Sequence, residues 1–391
     1  MKLALVVQRY GAGIAGGSET LCRHYAERLA DHHDVTVLTS CARDYVTWSN
    51  ELPPGVSSER GVTVRRFPVT RERHAGRFRD LSALVFGVAR APLEWEEAWF
   101  TENGPELPDL IDYLRAHGTE YDRILFFTFR YFPSYFGLPV VADRAILVPT
   151  AEEDPAIQLG VLEAFFALPA GFIFMTPEEG ALVAASAGRP VAPSAVAGIG
   201  VIPPPPAPAR RVLDALGIPG RFVLCLGRVD KNKGAHTLAE FFVQHLAGGG
   251  EPATLVFAGP STIPIPPHEQ IRTPGFVSQE VRDALLAHAA LIIVPSRYES
   301  LSIALLEGWN HGVPALVNGH CRVLDGQVTR AGGGLSYRSP LEFSEALDYL
   351  LTHPAEARQL GEHGRAYVDR EYRWPIVMER VESVLNRPLR T

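Results

Sequence analysis

The fold is decided by the stretch at residues 291–310, LIIVPSRYESLSIALLEGWN. Its first four residues are apolar and mostly β-branched, which predicts a fully buried strand. A polar turn over residues 297–300 then opens a helix that continues to a stop near Gly312. Glu299 lies in the turn and Glu307 lies about two turns inside the helix, so the two carboxylates are expected on the same side.

The start of this predicted helix also suits an anion. Free backbone N–H groups at a helix start, here around Leu301, Ser302 and Ile303, can hold a phosphate oxygen. An anion cradle beside two carboxylates suits a ligand that is partly phosphate and partly polyhydroxyl. The stretch therefore predicts a site for a nucleotide sugar.

Composition sets the limits of the interpretation. A length of 391 residues suggests two domains, and a net charge of −7 argues against general nucleic-acid binding. The four cysteines lie far apart without CxxC spacing, which argues against a disulfide framework or a structural zinc site and fits a reducing cytoplasm. The N-terminus lacks the pattern of a signal peptide, and no segment approaches the roughly 20 apolar residues of a spanning helix. We expect a cytoplasmic protein, at most peripheral to a membrane.

Strands alternate with helices in both halves of the chain, which predicts an α/β fold with doubly wound parallel sheets. The proline run VIPPPPAPAR at 201–210 cannot extend a helix or a central strand, so it marks a domain boundary. The strand pattern restarts at 222–226. We predict domains at 1–203 and 204–372, followed by a terminal segment at 373–391. Two such halves would place a cleft between the carboxyl edges of their sheets.

The glycine-rich loop GAGIAGG at 11–17 admits two interpretations. It matches the GxGxxG fingerprint of flavin and nicotinamide enzymes, but the second strand ends Leu38-Thr39-Ser40 without the acidic residue that holds a ribose. Alternatively, Gly16 and Gly17 let the backbone approach an anion at the helix start. A flavin or nicotinamide oxidoreductase therefore stays an alternative.

A second loop, GRVDKNKG at 227–234, carries Arg228 and Lys233 between a predicted strand and a predicted helix. Two cations beside a helix start suit a diphosphate, since arginine offers a planar fork and lysine a point charge. A solvated basic turn would look the same in isolation. The functional interpretation gains from the expected position of this loop on the same sheet edge as Glu299 and Glu307.

With these motifs, the chain resembles the retaining glycosyltransferases of the GT-B fold, family 4, also called glycosyl transferases group 1. The motifs that carry the resemblance are GRVDKNKG at 227–234, GFV at 275–277, the glutamate pair in YESLSIALLEGW, GGSE at 16–19 and the terminal YRWPIVMERVESVL. The resemblance covers nearly the whole chain and is looser across 40–145, where such enzymes recognise their acceptors. It implies two Rossmann-like doubly wound domains that face a central cleft, with a C-terminal helix crossing back to the first domain.

The resemblance also implies roles for individual residues. Arg228 and Lys233 would neutralise the donor diphosphate, Glu299 would bind hydroxyls of the donor sugar, and Glu307 would bind the ribose. Further donor contacts are implied for Gly16, Gly17, Gly227, Phe276 and Val277, and for the backbone of Ser300, Leu301 and Ser302 at the distal phosphate.

The chain departs from the family at PTAEEDP, residues 149–155, where many relatives have a histidine in a segment like PTAHDEP. Glu152 stands at that place. A carboxylate could hydrogen-bond a sugar hydroxyl or stabilise an oxocarbenium-like centre, and we list Glu152 among the candidate catalytic residues. The departure could equally mean reduced activity or an unusual donor.

The resulting hypothesis is a retaining glycosyltransferase that moves a hexose from a UDP- or GDP-sugar to the hydroxyl of a glycan, lipid-linked or small-molecule acceptor. It would need no cofactor and no metal ion, because Arg228 and Lys233 replace the divalent cation. A nucleotide-sugar-binding protein with lost turnover is the main alternative. The basic segment at 71–79 beside an apolar helix is typical of peripheral contact with the inner membrane face, and also of a helix packed on its own domain.

Overall fold

Two β-sheets, each in its own unit of the chain, organise the structure, a computed structural model that describes residues 1–14, 16–191, 193–218 and 220–388. The first unit comprises Met1–Gly198 and the tail from Met378, and the second comprises Ile199–Val377. The domain boundaries predicted from the sequence, 203/204 and 372/373, each lie five residues from these divisions. Ala15 of the glycine loop and residues 389–391 of the predicted terminal segment lie outside the described residues.

The first unit contains an eight-stranded sheet flanked by helices. Its strands are β1 (Lys2–Val6), β2 (Asp34–Ser40), β3 (Gly55–Glu59), β4 (Val62–Phe67), β5 (Arg123–Phe127), β6 (Ala145–Val148), β7 (Gly171–Phe174) and β8 (Ser194–Val196). Its helices are α1 (Gly17–Leu29), α2 (Ala75–Phe86), α3 (Leu93–Asn103), α4 (Pro108–His117), α5 (Phe132–Gly137), α6 (Val161–Phe165) and α7 (Pro177–Ser186), with short 3-10 helices at Gly118–Glu120, Leu138–Val141 and Pro155–Gln158. The strand order is β3-β4-β2-β1-β5-β6-β7-β8, and all pairs are parallel except β3 with β4.

The second unit contains a six-stranded, wholly parallel sheet. Its strands are β9 (Phe222–Leu226), β10 (Thr254–Ala258), β11 (Ile271–Gly275), β12 (Leu291–Val294), β13 (Ala315–Asn318) and β14 (Gly334–Tyr337). Its helices are α8 (Ala235–Ala247), α9 (Gln279–His288), α10 (Ile303–Asn310), α11 (Arg322–Ala331), α12 (Pro340–Thr352) and α13 (Pro354–Glu371), with a 3-10 helix at Arg210–Leu216. The strand order is β11-β10-β9-β12-β13-β14.

The last helix, α14, covers Trp374–Leu385, and the division between the units falls inside it, after Val377. In the first unit, Glu382 of this helix places its Oε1 2.7 Å from His33 Nε2. No helix of the described residues is long and apolar enough to cross a membrane.

The buried strands follow from their sequences. All four residues of β12 are buried, as are the last four of β1, because helices cover both faces of a parallel sheet and leave only apolar positions in its centre. The sequence failed to predict β3, whose residues GVSSE are polar and mostly exposed. This strand is held instead by a tight turn to β4, in which Arg60 and Gly61 have φ of 49° and 82°.

The strand order places a topological switch point in each sheet. In the second unit, β9 lies between β10 and β12, and in the first unit β1 lies between β2 and β5. Ligands of open α/β sheets bind outside the carboxyl ends of the strands at such points. The loops after β1, β9 and β12 therefore occupy the positions where a ligand site is expected.

Helix α13 packs closely on α10, the helix that carries Glu307. A Cβ atom added to Gly361 would lie 2.0 Å from the carbonyl oxygen of Gly312, and one added to Gly364 would lie 2.2 Å from a ring atom of Trp309. Trp309 is fully buried, and its indole N–H donates to the Gly333 carbonyl at 2.8 Å. The absence of two side chains thus lets the helices approach each other.

We predict that Gly361→Ala lowers the free energy of unfolding by about 1–3 kcal/mol, because the added methyl group meets a backbone oxygen that has no rotamer through which to move away. Urea unfolding measures the change. Glu362→Ala, at the exposed next position of the same helix, is the control and should change stability by less than about 0.5 kcal/mol. Wild-type stability in Gly361→Ala would contradict the packing described.

Candidate functional site

The loop after β9 carries Arg228 and Lys233 along the end of the neighbouring strand. Gly227 N–H donates to the Ala258 carbonyl and Val229 N–H to the Pro260 carbonyl, both at 2.9 Å. The Asp230 carboxylate then accepts from the backbone N–H of Lys233 at 2.7 Å, which closes the turn before α8. The loop is therefore tied to the sheet by its own backbone.

Gly234 fixes the distance between the β9 loop and the β12 loop. Its φ is 71°, in the left-handed region, and a Cβ atom there would lie 2.5 Å from the carbonyl oxygen of Pro295. Both facts exclude a side chain at this position. The two loops that flank the switch point consequently touch through backbone atoms.

This contact brings Lys233 to Glu299. The Lys233 Nζ lies 2.7 Å from Glu299 Oε1, although the two residues are 66 positions apart in the chain. The Glu299 side chain is only 8% exposed, so the ammonium group compensates the burial of the carboxylate. Arg228 lies on the exposed side of the same loop, with its Nε 3.6 Å from Asp230 Oδ2.

Helix α10 begins at Ile303, four residues after Glu299. Ser302 caps it, since its hydroxyl accepts from the backbone N–H of Leu305 at 3.3 Å, and both Leu301 and Ser302 are buried. The turn of Ser300, Leu301 and Ser302 thus lies at the positive end of the α10 dipole, next to the Lys233–Glu299 pair.

The second glutamate of the motif forms a separate ion pair. Glu307 Oε2 lies 2.5 Å from a guanidinium nitrogen of Arg282, a residue of α9 that the sequence analysis missed. Burial raises the pKa of Glu307, and the charge of Arg282 opposes that rise. No spacing pattern marks Arg282. Its role follows from the packing of the helices before and after β12.

A row of three glycines ends adjacent strands of this sheet. Gly259 N–H donates to the Gly275 carbonyl at 2.9 Å, and a Cβ atom on Gly259 would lie 2.0 Å from the Gly227 carbonyl oxygen. Phe276 follows the row with 85% of its side chain exposed, and Val277 is half-buried. The row leaves a flat backbone edge with an aromatic ring beside it.

In the first unit, a buried ion pair holds the glycine loop. Arg9 donates to Glu19 Oε1 through Nε at 2.9 Å and through a terminal nitrogen at 2.5 Å. The Glu19 carboxylate folds back over the loop, so that a Cβ atom on Gly16 would lie 2.1 Å from its Oε2. Gly17 faces open space. A side chain on the first glycine of the GGSE motif would therefore displace the Glu19 carboxylate from its present position.

The loop that carries Glu152 is held by two residues that the sequence analysis did not select. The half-buried Arg130 lies 2.7 Å from Asp154 Oδ2 and 3.7 Å from Glu152 Oε2. Glu179 is fully buried and accepts from the backbone N–H groups of Ala151 at 2.6 Å and Met175 at 2.5 Å. The signal for Glu179 was the Thr-Pro-Glu-Glu start of α7, which has the form of a capping box.

The pKa of the buried Glu179 carboxyl lies well above its ordinary value. Burial raises its pKa to about 8, although its three backbone hydrogen bonds favour the charged form, and the nearby charge of Glu152 adds to the rise. The loop of Glu152 is thus anchored by an acid that titrates near neutral pH.

The comparisons with known proteins bear on the fold and on the class of protein. Residues 220–353 match the family model described as Glycosyl transferases group 1. Sucrose-phosphate synthase from Thermosynechococcus elongatus has a similar structure, with a TM-score of 0.69 and 16% identity over 98% of both chains. The match confirms the resemblance to group 1 glycosyltransferases over residues 220–353, and the structural similarity confirms the predicted fold class.

Two further solved structures are similar over nearly the full length of the chain. Anabaena HepE in complex with UDP and glucose has a TM-score of 0.69 and 14% identity over 98% of this chain and 99% of its own. The α,α-trehalose 6-phosphate synthase of Burkholderia multivorans has the same TM-score and identity over 98% of each chain. The comparisons support the predicted enzyme class, whereas assignment to family 4 and retention of configuration stay predictions.

Glu179 yields a prediction on the pH dependence of stability. Because its folded-state pKa lies above the unfolded value of about 4.3, its stabilising contribution is complete below that value and is lost as the pH rises to about 8. We expect the unfolding free energy of the wild type, relative to Glu179→Gln, to fall by on the order of 3 kcal/mol between roughly pH 5 and pH 8.

Urea titrations at several pH values measure that difference. Glu178→Gln, at the half-buried neighbouring position, is the control and should follow the wild-type pH dependence. Parallel pH profiles for the wild type and Glu179→Gln would show that Glu179 does not take up a proton on folding.

Proposed function

We propose that the protein is a metal-independent, retaining glycosyltransferase that moves a hexose from a UDP-sugar to an acceptor hydroxyl. The observation that carries the proposal is the contact of Lys233 with Glu299 at 2.7 Å, beside the start of α10 and at the switch point of a parallel sheet. The match to group 1 glycosyltransferases over 220–353 supports the reaction class. The complex of HepE with UDP and glucose supports uridine as the base, with guanosine as the alternative to be tested.

The cationic loop suits the leaving diphosphate. The Lys233 ammonium has three N–H donors, so it can keep its contact with Glu299 and still donate to a phosphate oxygen. Arg228, half exposed on the same loop, can add a two-pronged contact. A cation that is already oriented costs little reorganisation when negative charge develops on the leaving group. In this proposal, the two side chains do the work of a divalent cation.

The carboxylates suit the hydroxyl groups of the donor. Glu299 would accept hydrogen bonds from the sugar, while Lys233 holds one of its oxygens. Arg282 orients Glu307 through Oε2, so that Oε1 can accept from a ribose hydroxyl. The exposed ring of Phe276, with Val277 beside it, would lie against the base. The turn of residues 300–302 would receive the distal phosphate.

The reaction would break the bond between the anomeric carbon and the diphosphate oxygen, and form a bond to the acceptor oxygen on the same face. The proton of the acceptor hydroxyl would pass to the leaving phosphate oxygen. Positioning and charge neutralisation are then the main contributions of the protein. Gly16, Gly17 and Gly227 would admit the donor close to the backbone, and Glu152 would interact electrostatically with the developing positive charge.

A nucleotide-sugar-binding protein without turnover is the second candidate, and Glu152 is the observation that favours it. Its position, where relatives have histidine, is held by Arg130 and by the anchored backbone of Ala151. Donor binding without transfer or hydrolysis would identify this case. The glycine loop is the feature that supports the oxidoreductase alternative. A yellow colour of the purified protein, or stabilisation of the protein by NAD, would indicate this function.

A cytoplasmic location and peripheral membrane contact also belong to the proposal. Five large apolar side chains are exposed on α2, on α3 and on the segment that joins them, which supports such contact: Leu84, Phe86, Val88, Leu93 and Trp95. The basic segment before α2 is partly engaged inside the unit, since Arg71 pairs with Glu102 at 2.6 Å and with Glu106 at 3.0 Å.

The donor's base can be identified by thermal unfolding with UDP, GDP, ADP, NAD and FAD, each with and without EDTA. A ligand at about one hundred times its dissociation constant adds roughly 2.7 kcal/mol of stability. We expect UDP to raise the melting temperature with no effect of EDTA. Glu307→Ala should weaken UDP binding, whereas Glu280→Ala, exposed on α9, should leave it unchanged. A shift with NAD or FAD alone would refute the proposed function.

Turnover tests the cationic loop. We predict that Lys233→Ala costs on the order of 2–4 kcal/mol of transition-state stabilisation, because it removes one preorganised donor at the leaving group. The measurement is the release of UDP from UDP-glucose, by hydrolysis or in the presence of sugar acceptors. Lys231→Ala, which removes an exposed lysine from the same turn, is the matched control and should retain wild-type rates. Wild-type rates in both variants would show that Lys233 takes no part in the reaction.

A further inference from the structure

The first unit contains a pocket that none of the assigned roles uses. Its volume is about 330 Å³, and the first part of the glycine loop, from Tyr10 to Ile14, forms one wall. The other walls come from α1, from the segment after β2 and from the β3–β4 hairpin. Gly16 and Gly17, the residues of this loop assigned to the donor, do not line it. The pocket is therefore a separate feature of the first unit.

The lining of this pocket is strongly basic. Four arginines, Arg23, Arg43, Arg60 and Arg66, face two glutamates, which leaves a formal excess of two positive charges in a protein whose net charge is −7. The glutamates are partly engaged, since Glu59 lies 2.5 Å from Arg66 and Glu27 lies 3.5 Å from Arg60. The pocket thus concentrates positive charge against the overall balance of the chain.

Two of these arginines have a buried side-chain N–H group without a hydrogen-bond acceptor among the described residues. Arg66 is 7% exposed, and its terminal nitrogens donate to Ser57, Glu59 and the Tyr10 carbonyl, yet its buried Nε has no hydrogen-bond partner among the residues that the structure describes. The buried Nε of Arg23 on α1 also has none. Buried N–H donors of charged groups normally have hydrogen-bond partners, and a buried donor without a partner destabilises the folded protein. Both guanidinium groups are held where an acceptor is missing.

The electrostatic environment of a neighbouring residue agrees with this charge excess. Burial, together with the charges of Arg28, Arg23 and Arg60, lowers the pKa of His24 to about 4. The imidazole therefore stays neutral at pH 7. Two of the three arginines that disfavour its protonation line the pocket.

We propose that this pocket binds the phosphate monoester group of a small molecule. A phosphate monoester carries a charge between about −1.5 and −2 at pH 7, which matches the excess of two positive charges, and a carboxylate would balance only half of it. The planar forks of several arginines suit the tetrahedral array of phosphate oxygens. The inference goes beyond the proposed donor site, whose phosphate contacts are assigned to residues of the second unit.

Calorimetric titration with glucose 6-phosphate and with inorganic phosphate tests the proposal, with UDP present and also in the Lys233→Ala variant. The donor site is occupied by UDP in the first condition and lacks Lys233 in the second. Phosphate binding at the donor site is therefore separated from binding in the pocket. We expect saturable binding that is about tenfold weaker in Arg23→Gln and in Arg43→Gln, the loss of one charge-assisted contact each. Arg28→Gln, on α1 but outside the pocket lining, is the matched control and should bind as the wild type does.

A lipid source of the phosphate group is distinguished by vesicles of phosphatidylcholine with and without phosphatidate. Binding to phosphatidate vesicles that is lost in Arg23→Gln supports a lipid phosphate monoester, and binding of glucose 6-phosphate alone supports a soluble one. The proposal is overturned if Arg23→Gln and Arg43→Gln bind as the wild type does. It is equally overturned if sodium chloride at matched ionic strength reproduces the signal. Stabilisation by UDP, measured in the same variants, reports on the donor site separately, so either proposal can fail alone.

Discussion

The close contact between Gly234 and the Pro295 carbonyl is the constraint on which the candidate site of the second unit depends. Both groups belong to the backbone, so neither can move aside through a change of rotamer. The positive φ of Gly234 also disfavours any residue other than glycine. The contact fixes the β9 loop against the β12 loop. The position of the Lys233 ammonium at Glu299 is then a consequence of chain geometry, and its preorganisation requires no ligand.

In the first unit, buried carboxylates take the place of that backbone contact. Glu19, paired with Arg9, sets the form of the glycine loop, and Glu179 ties the segment before Glu152 to the end of β7. A carboxylate accepts from several N–H groups at once, so one side chain can fix a loop that has no regular structure of its own. Both units thus hold their loops rigidly at the sheet edges, by different physical means.

The sequence predicted the parts of this arrangement that leave a local pattern. The bounds of β9 and β12 follow from apolar runs, because a strand covered on both faces is mostly apolar. The polar strand β3 lacks that pattern and was missed. Arg282, Arg130 and Glu179 were missed for another reason. Their partners depend on which helices and loops come into contact in the folded protein. No spacing pattern along the chain predicts those contacts.

The carboxylate at position 152 can be reconciled with an active site through its neighbours. Burial raises the pKa of Glu179 to about 8, and the nearby charge of Glu152 adds to that rise. The Glu152 side chain is about one-third exposed, and its Oε2 lies 3.7 Å from the guanidinium group of Arg130. A fixed anion there would favour positive charge on a sugar ring, which a neutral histidine could do only through its dipole. If Glu152 acts as proposed, the exchange of histidine for glutamate would change the means of electrostatic stabilisation and keep its direction.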